Sequence, residues 1–129
     1  MREILFRGKR IDNGEWVNGT PFISHDCCKM IFAMALHPDF VDDGNVYYSE
    51  GYPVVPKTVG QFTGFTDKNG KRIFEGDILT LRTGIPYVVR FEDGAFFLEN
   101  TEIPMRFANK FVVIGNIHDD PDLLEVHND

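Results

Sequence analysis

The sequence predicts a mainly β fold, a β-rich α+β chain, on three observations. Asn13-Gly14, Asn69-Gly70 and Asp93-Gly94 each lie between strand-like runs. Such dipeptides favour the positive φ that a type I′ hairpin turn requires at both central positions. Runs of β-branched and aromatic residues recur at short intervals, as in Ile78-Leu79-Thr80-Leu81, Tyr87-Val88-Val89-Arg90-Phe91 and Phe111-Val112-Val113-Ile114. Between these runs the chain is rich in breakers: Pro38, Gly44, Gly51, Pro53 and Pro56 all fall within residues 37–58, which makes that stretch one of loops and bends.

Taken in order, strands are expected at Glu3 to Arg7, Trp16 to Ser24 and Val46 to Tyr48. Met30 to Leu36 is seven apolar residues long, short enough for a buried strand or a short helix, and we read it as a strand. Two-residue loops then set the pairing. Around Asn13-Gly14, Ile11 faces Trp16 and Arg10 faces Val17. Around Asn69-Gly70, Asp67 faces Arg72, Thr66 faces Ile73 and Phe65 faces Phe74. Around Asp93-Gly94, Phe91 faces Phe96, Arg90 faces Phe97 and Val89 faces Leu98. Each such pair contributes roughly 0.2–1 kcal/mol. The strands from Val59 to Ile117 are short and regularly spaced, which suggests an SH3-like small barrel or roll in the C-terminal part. Asp119-Asp120-Pro121-Asp122-Leu123-Leu124-Glu125 puts an N-cap candidate, an early proline and acids at one end, as a short C-terminal helix would.

The 129 residues form one domain, 1–129, which can be divided into an N-terminal β lobe, 1–58, and an SH3-like lobe, 59–118. A net charge of −7 argues against a generic nucleic-acid coat. The charge is uneven, however. Asp119, Asp120, Asp122, Glu125 and Asp129 contribute −5 to that net charge, leaving −2 on residues 1–118. No apolar run approaches the ~20 residues of a membrane span, and Met1 to Arg7 lacks the pattern of a signal peptide. A cytoplasmic protein with no membrane partner is expected. Cys27 and Cys28 are adjacent, which makes a disulfide between them strained and reduced thiols the better reading.

The block Val59-Gly60-Gln61-Phe62-Thr63-Gly64-Phe65-Thr66-Asp67-Lys68-Asn69-Gly70-Lys71-Arg72-Ile73-Phe74-Glu75-Gly76-Asp77-Ile78 resembles the signature of the YopX family, small proteins of bacteriophages and prophages. Arg2 to Lys9 is similar to the family's opening strand. Val113-Ile114-Gly115-Asn116-Ile117 and the acidic segment after it are similar to its closing segment. The resemblance implies a β-rich fold with an SH3-like part and a phage or prophage gene. It supplies no activity and no active-site residue.

Each constellation with chemical potential has a plainer structural reading. The glycines at 60, 64, 70 and 76 sit among strand residues, so they serve turns and bulges better than a phosphate cradle. Glu75 and Asp77, with Asp67, could hold a divalent cation for a metal-dependent enzyme. Asp77 equally suits bonding to nearby backbone amides, and no EF-hand spacing follows Asp67. His25, Cys27, Cys28 and His37 lack the paired spacing of a zinc site. No catalytic, cofactor or metal residue is therefore assigned.

Lys68, Lys71 and Arg72 crowd one hairpin tip, and Arg90 and Phe97 share a face of another. These five are the candidate interaction surface. Arg2, Arg7, Lys9 and Arg10 crowd the first strand, opposed by Glu3. The acidic tail reads as a solvated terminus or as a docking element for a basic partner. We expect a non-catalytic phage or prophage accessory protein acting by protein binding or self-assembly in the host cytoplasm. Twelve phenylalanines favour a homo-oligomer. A host or phage protein is the other protein partner considered, and a small nucleic-acid-binding module is the alternative function.

Overall fold

The computed structural model describes residues 3–23, 29–34, 41–42, 45–46 and 49–125, with side-chain surroundings for 3–21 and 51–125. Twelve strands run along the described residues: β1 (Phe6–Lys9), β2 (Trp16–Ile23), β3 (Lys29–Met34), β4 (Val41–Asp42), β5 (Asn45–Val46), β6 (Ser49–Pro53), β7 (Gly60–Thr66), β8 (Arg72–Phe74), β9 (Asp77–Thr80), β10 (Pro86–Glu92), β11 (Ala95–Leu98) and β12 (Val112–Asn116). Every pairing between them is antiparallel. The fold is mainly β, as the turn dipeptides and β-branched runs predict. Met30 to Met34 lies in a strand, and the short C-terminal helix is one 3-10 turn at Pro121–Leu124. The cluster His25, Cys27, Cys28 and His37 lies outside the described residues.

The chain divides into two compact units, Leu5–Gln61 and residues 1–4 with 62–129. In the first unit the strands are ordered β6-β3-β2-β1, and Gly60 and Gln61 of β7 pair with β1. Val54 is fully buried, and its neighbour Val55 donates its N–H to the Lys9 carbonyl. The Thr58 hydroxyl donates to the Val55 carbonyl and accepts from the Lys9 N–H. Arg7 is buried with its guanidinium 4.6 Å from the Trp16 ring centre, a cation–π contact.

The second unit carries the sheet β11-β10-β9-β12 and the β7–β8 hairpin. Its core is Ile73, Leu79, Val89, Leu98, Met105, Ala108 and Phe111. Strand alternation explains the choice: Leu79, Val89 and Leu98 point to one face, since successive side chains alternate. A 3-10 segment, Met105–Lys110, adds Met105 and Ala108. Phe111 is fully buried, with the Tyr87 ring edge-on to it at 6.0 Å.

The three turn dipeptides behave differently. Asp93 and Gly94 both have positive φ, 52° and 81°, as a type I′ turn demands. The expected pairs Phe91–Phe96, Arg90–Phe97 and Val89–Leu98 all form. At Asn69-Gly70 only Gly70 has positive φ, and the loop gains a residue. Thr66 faces Arg72 instead of Ile73, and Phe62, not Phe65, faces Phe74 across a bulge. The Thr63 hydroxyl fills that bulge, donating to the Ile73 carbonyl and accepting from the Phe65 N–H. At Asn13-Gly14 the loop lengthens to four residues. Trp16 faces Lys9 and Val17 faces Gly8, two residues from the expected register. Side chains drive this shift. Arg10 grips Asp12 through two bonds of 3.0 and 2.6 Å, and the Asn13 amide oxygen accepts from the Glu15 N–H.

The carboxylate of Asp67 causes the shift at the second turn. Its Oδ1 accepts from the Asn69 and Lys71 N–H groups at 2.8 Å each. Its Oδ2 accepts from the Val113 N–H at 3.0 Å, linking the turn to β12. The Lys68 N–H donates to the Phe111 carbonyl beside that link. Burial alone would push the Asp67 carboxyl up, but the three backbone donors hold it below its ordinary value of 3.8. A depressed carboxyl stabilises the fold above the unfolded value, and that contribution disappears as pH falls below 3.8 through the folded value. Asp67→Asn should cost about 2–3 kcal/mol at neutral pH. In acid titrations followed by urea denaturation, the wild-type midpoint should fall more steeply below about pH 4 than that of the variant.

Candidate functional site

The five surface residues chosen from the sequence do not form one cationic patch. Lys68 and Lys71 stand exposed at the β7–β8 tip. Arg72 is turned away to Glu3, its Nη2 lying 3.0 and 3.2 Å from the two carboxylate oxygens. Its guanidinium also lies 5.6 Å from the Phe62 ring centre. Arg90 sits opposite Phe97 in the β10–β11 ladder, but its Nε donates to Glu99 at 3.1 Å. Two of the four cations are therefore paired. Of the first-strand cations, Arg7 is buried against Trp16 and Arg10 is held by Asp12; Arg2 lies outside the described residues.

Lys68 instead joins two cations that the sequence reading did not single out. Lys68, Leu81, Arg82, Thr83, Asn109 and Lys110 line an open groove of about 610 Å³. Sheet register explains the convergence. The β12–β9 ladder begins at Val112↔Thr80. Beyond that pair the chain leaves the ladder on both sides, through Arg82 in the turn after β9 and Lys110 at the end of the 3-10 segment before β12. Both cations therefore lie at the same end of the β9–β12 pair. The Lys68 N–H bond to the Phe111 carbonyl adds the third cation. No acidic side chain lines the groove. Among the described residues, no carboxylate forms an ion pair with Lys68, Arg82 or Lys110. Lys110 is instead steered by Phe107, whose ring centre lies 5.3 Å from its Nζ.

The carboxylates considered for metal chemistry are used structurally. Asp77 is fully buried, and its Oδ2 accepts from the Phe74 N–H at 2.8 Å, closing the Glu75-Gly76 turn. Asp67 is occupied as described above. Among the described residues, no three His, Cys, Asp or Glu side chains are grouped to hold a metal ion. Part of the acidic tail is also structural. Asp120 Oδ2 accepts from the Asn116 N–H at 3.2 Å, and Asn116 Nδ2 donates to Asp119 at 3.2 Å.

An apolar surface lies elsewhere in this unit. Phe91 and Phe96 meet edge-on at 4.8 Å on the β10–β11 hairpin, and Phe91 is 45% exposed. They continue the face of Val89 and Leu98, which are completely buried. Strand β11 ends the sheet order, so its outer edge has no strand partner among the described residues. A second cavity, of about 590 Å³, is lined by Ile85, Pro86, Tyr87, Val88, Glu99, Asn100 and Leu124. Among the described residues no helix is long and apolar enough to cross a membrane.

These features define an antiparallel β protein in two units whose glycine-rich central block is built from turns and a bulge. The chain belongs to the YopX family: the family model described as YopX protein matches residues 5–125. The crystal structure of protein EF1440 from Enterococcus faecalis is similar over 96% of this chain and 99% of that chain, with 24% identity and a TM-score of 0.62. That likeness is one of fold. No curated protein matches the chain.

The solvent-exposed Arg90–Glu99 and Arg72–Glu3 pairs should each show a coupling below about 1 kcal/mol in a double-mutant cycle, shrinking further in high salt. Gly115 predicts a larger coupling. A Cβ there would lie 2.5 Å from Asp120 Oδ2, which the Asn116 N–H holds in place. Gly115→Ala should cost about 1–3 kcal/mol, and thermal melts should show a smaller cost in an Asp120→Ala background.

Proposed function

We propose that the protein acts by binding rather than by catalysis, and that its partner is a second copy of itself docked at the β10–β11 hairpin. The observation behind this reading is the Phe91–Phe96 pair, with Phe91 exposed and Phe96 half-buried, on the hairpin whose outer strand β11 has no strand partner on its far edge among the described residues. An edge strand presents free N–H and C=O groups, and a flanking aromatic pair adds apolar area that water solvates poorly. Two β11 edges meeting antiparallel about a twofold axis would satisfy both strands and bring the phenylalanine pairs close to one another. The reading keeps the role implied by the family resemblance: an accessory protein of a phage or prophage, working in the host cytoplasm.

Nucleic-acid binding remains the second reading, favoured by the cationic groove at Lys68, Arg82 and Lys110. Arg72 and Arg90 contribute little to it, because each already holds a carboxylate.

Sedimentation equilibrium across the micromolar range should give a dimer mass for the wild type and a monomer mass for Phe91→Asp, with unchanged circular dichroism. A wild-type monomer throughout that range would overturn the self-association reading.

A further inference from the structure

The geometry points to the Lys68–Arg82–Lys110 groove as a binding site for a small, multiply charged phosphate ligand of the nucleotide class. Charge distribution is the first argument. The chain carries twenty acidic and thirteen basic side chains. Arg10, Arg72 and Arg90 each hold a carboxylate. In a chain so rich in acid, three cations around one groove without a lining carboxylate repel one another, and nothing within the groove offsets this. A bound polyanion would. Lysine and arginine suit a phosphate in complementary ways, one as a compact point charge and the other as a planar fork of donors.

The uncharged lining extends the match. Thr83 and Asn109 add a hydroxyl and an amide, which can donate to phosphate or ribose oxygens or meet a base edge. Leu81, half-buried, offers an apolar wall. A volume of about 610 Å³ lies within the usual span for small-molecule sites. The site is also held in place. Arg82 and Lys110 flank the same end of the β9–β12 ladder, Lys68 is tied there by its backbone bond to Phe111, and the Lys110 ammonium lies 5.3 Å from the Phe107 ring centre.

Net charge selects a small ligand over a polymer. Outside the groove the chain offers no net positive charge, with −2 on residues 1–118 and −5 on the acidic tail, so a long polyanion passing beyond the groove gains no added attraction. A compact di- or triphosphate places its charge against the three cations alone.

Isothermal titration at low salt, with pyrophosphate and ADP as probes, tests the site. Both should bind saturably and weaken as salt rises. ADP should bind more tightly than pyrophosphate if Leu81 and Asn109 engage the nucleoside. Arg82→Glu and Lys110→Glu, both exposed and away from the core, should each weaken ADP by roughly tenfold or more, equivalent to about 1.4 kcal/mol. Lys57→Glu, an equal charge change at an exposed residue of the other unit, should leave affinity within about twofold after correction for net charge. Three results would overturn the proposal: no saturable binding of either probe, groove variants that bind ADP like the wild type, or a short single-stranded oligonucleotide binding more tightly than ADP at physiological salt. The last would reassign the groove to nucleic acid.

Discussion

One carboxylate organises the second unit. Asp67 accepts three backbone N–H groups, two from its own turn and one from Val113 on β12. The turn bonds give the β7–β8 loop its extra residue, and the Val113 bond ties that loop to a strand more than forty residues away. Phe111, fully buried, lies two residues before Val113, and its carbonyl receives the Lys68 N–H. Hairpin register, strand position and core packing thus meet at a single side chain. Buried carboxylates persist where the donors around them exceed the cost of desolvation. Here those donors are backbone groups, with the Lys71 charge a smaller contribution.

Legibility in the sequence varied from turn to turn for physical reasons. The β10–β11 hairpin follows from Asp93-Gly94, because both residues adopt the positive φ that such a dipeptide favours. At Asn69-Gly70 the backbone preference is overruled by the Asp67 side chain, and at Asn13-Gly14 by the Arg10–Asp12 grip and the Asn13 amide. Turn dipeptides predicted where the chain reverses. Side-chain bonds decided how many residues the reversal used. The length of the Met30 to Leu36 run left strand and short helix both open, and Met30 to Met34 lies in a strand; the terminal turn was legible from its proline, though one 3-10 turn forms there.

The charged surface was less legible, because pairing is a tertiary property. Arg72 and Glu3 are far apart along the chain, so nothing in the hairpin itself shows that this arginine is neutralised. Arg82 and Lys110 carried no local signal: one lies in a glycine turn and the other closes a 3-10 segment. Their convergence needs the β9–β12 register, which a single sequence does not display. Of the five surface residues chosen from sequence, Lys68 is the one that joins them.

The register behind the groove also limits how this surface can change. Lys110, Phe111 and Val112 are consecutive, with Phe111 fully buried between an exposed lysine and a partly covered valine. Inserting or deleting one residue between this 3-10 end and β12 would shift Phe111 out of its fully buried place and move Lys110 with it, because the two are adjacent in the chain. The groove therefore cannot drift by small changes in loop length without damage to the core. Over evolutionary time its charge can be rewritten by point substitutions, while its location stays fixed by the same strand that keeps the phenylalanine dry.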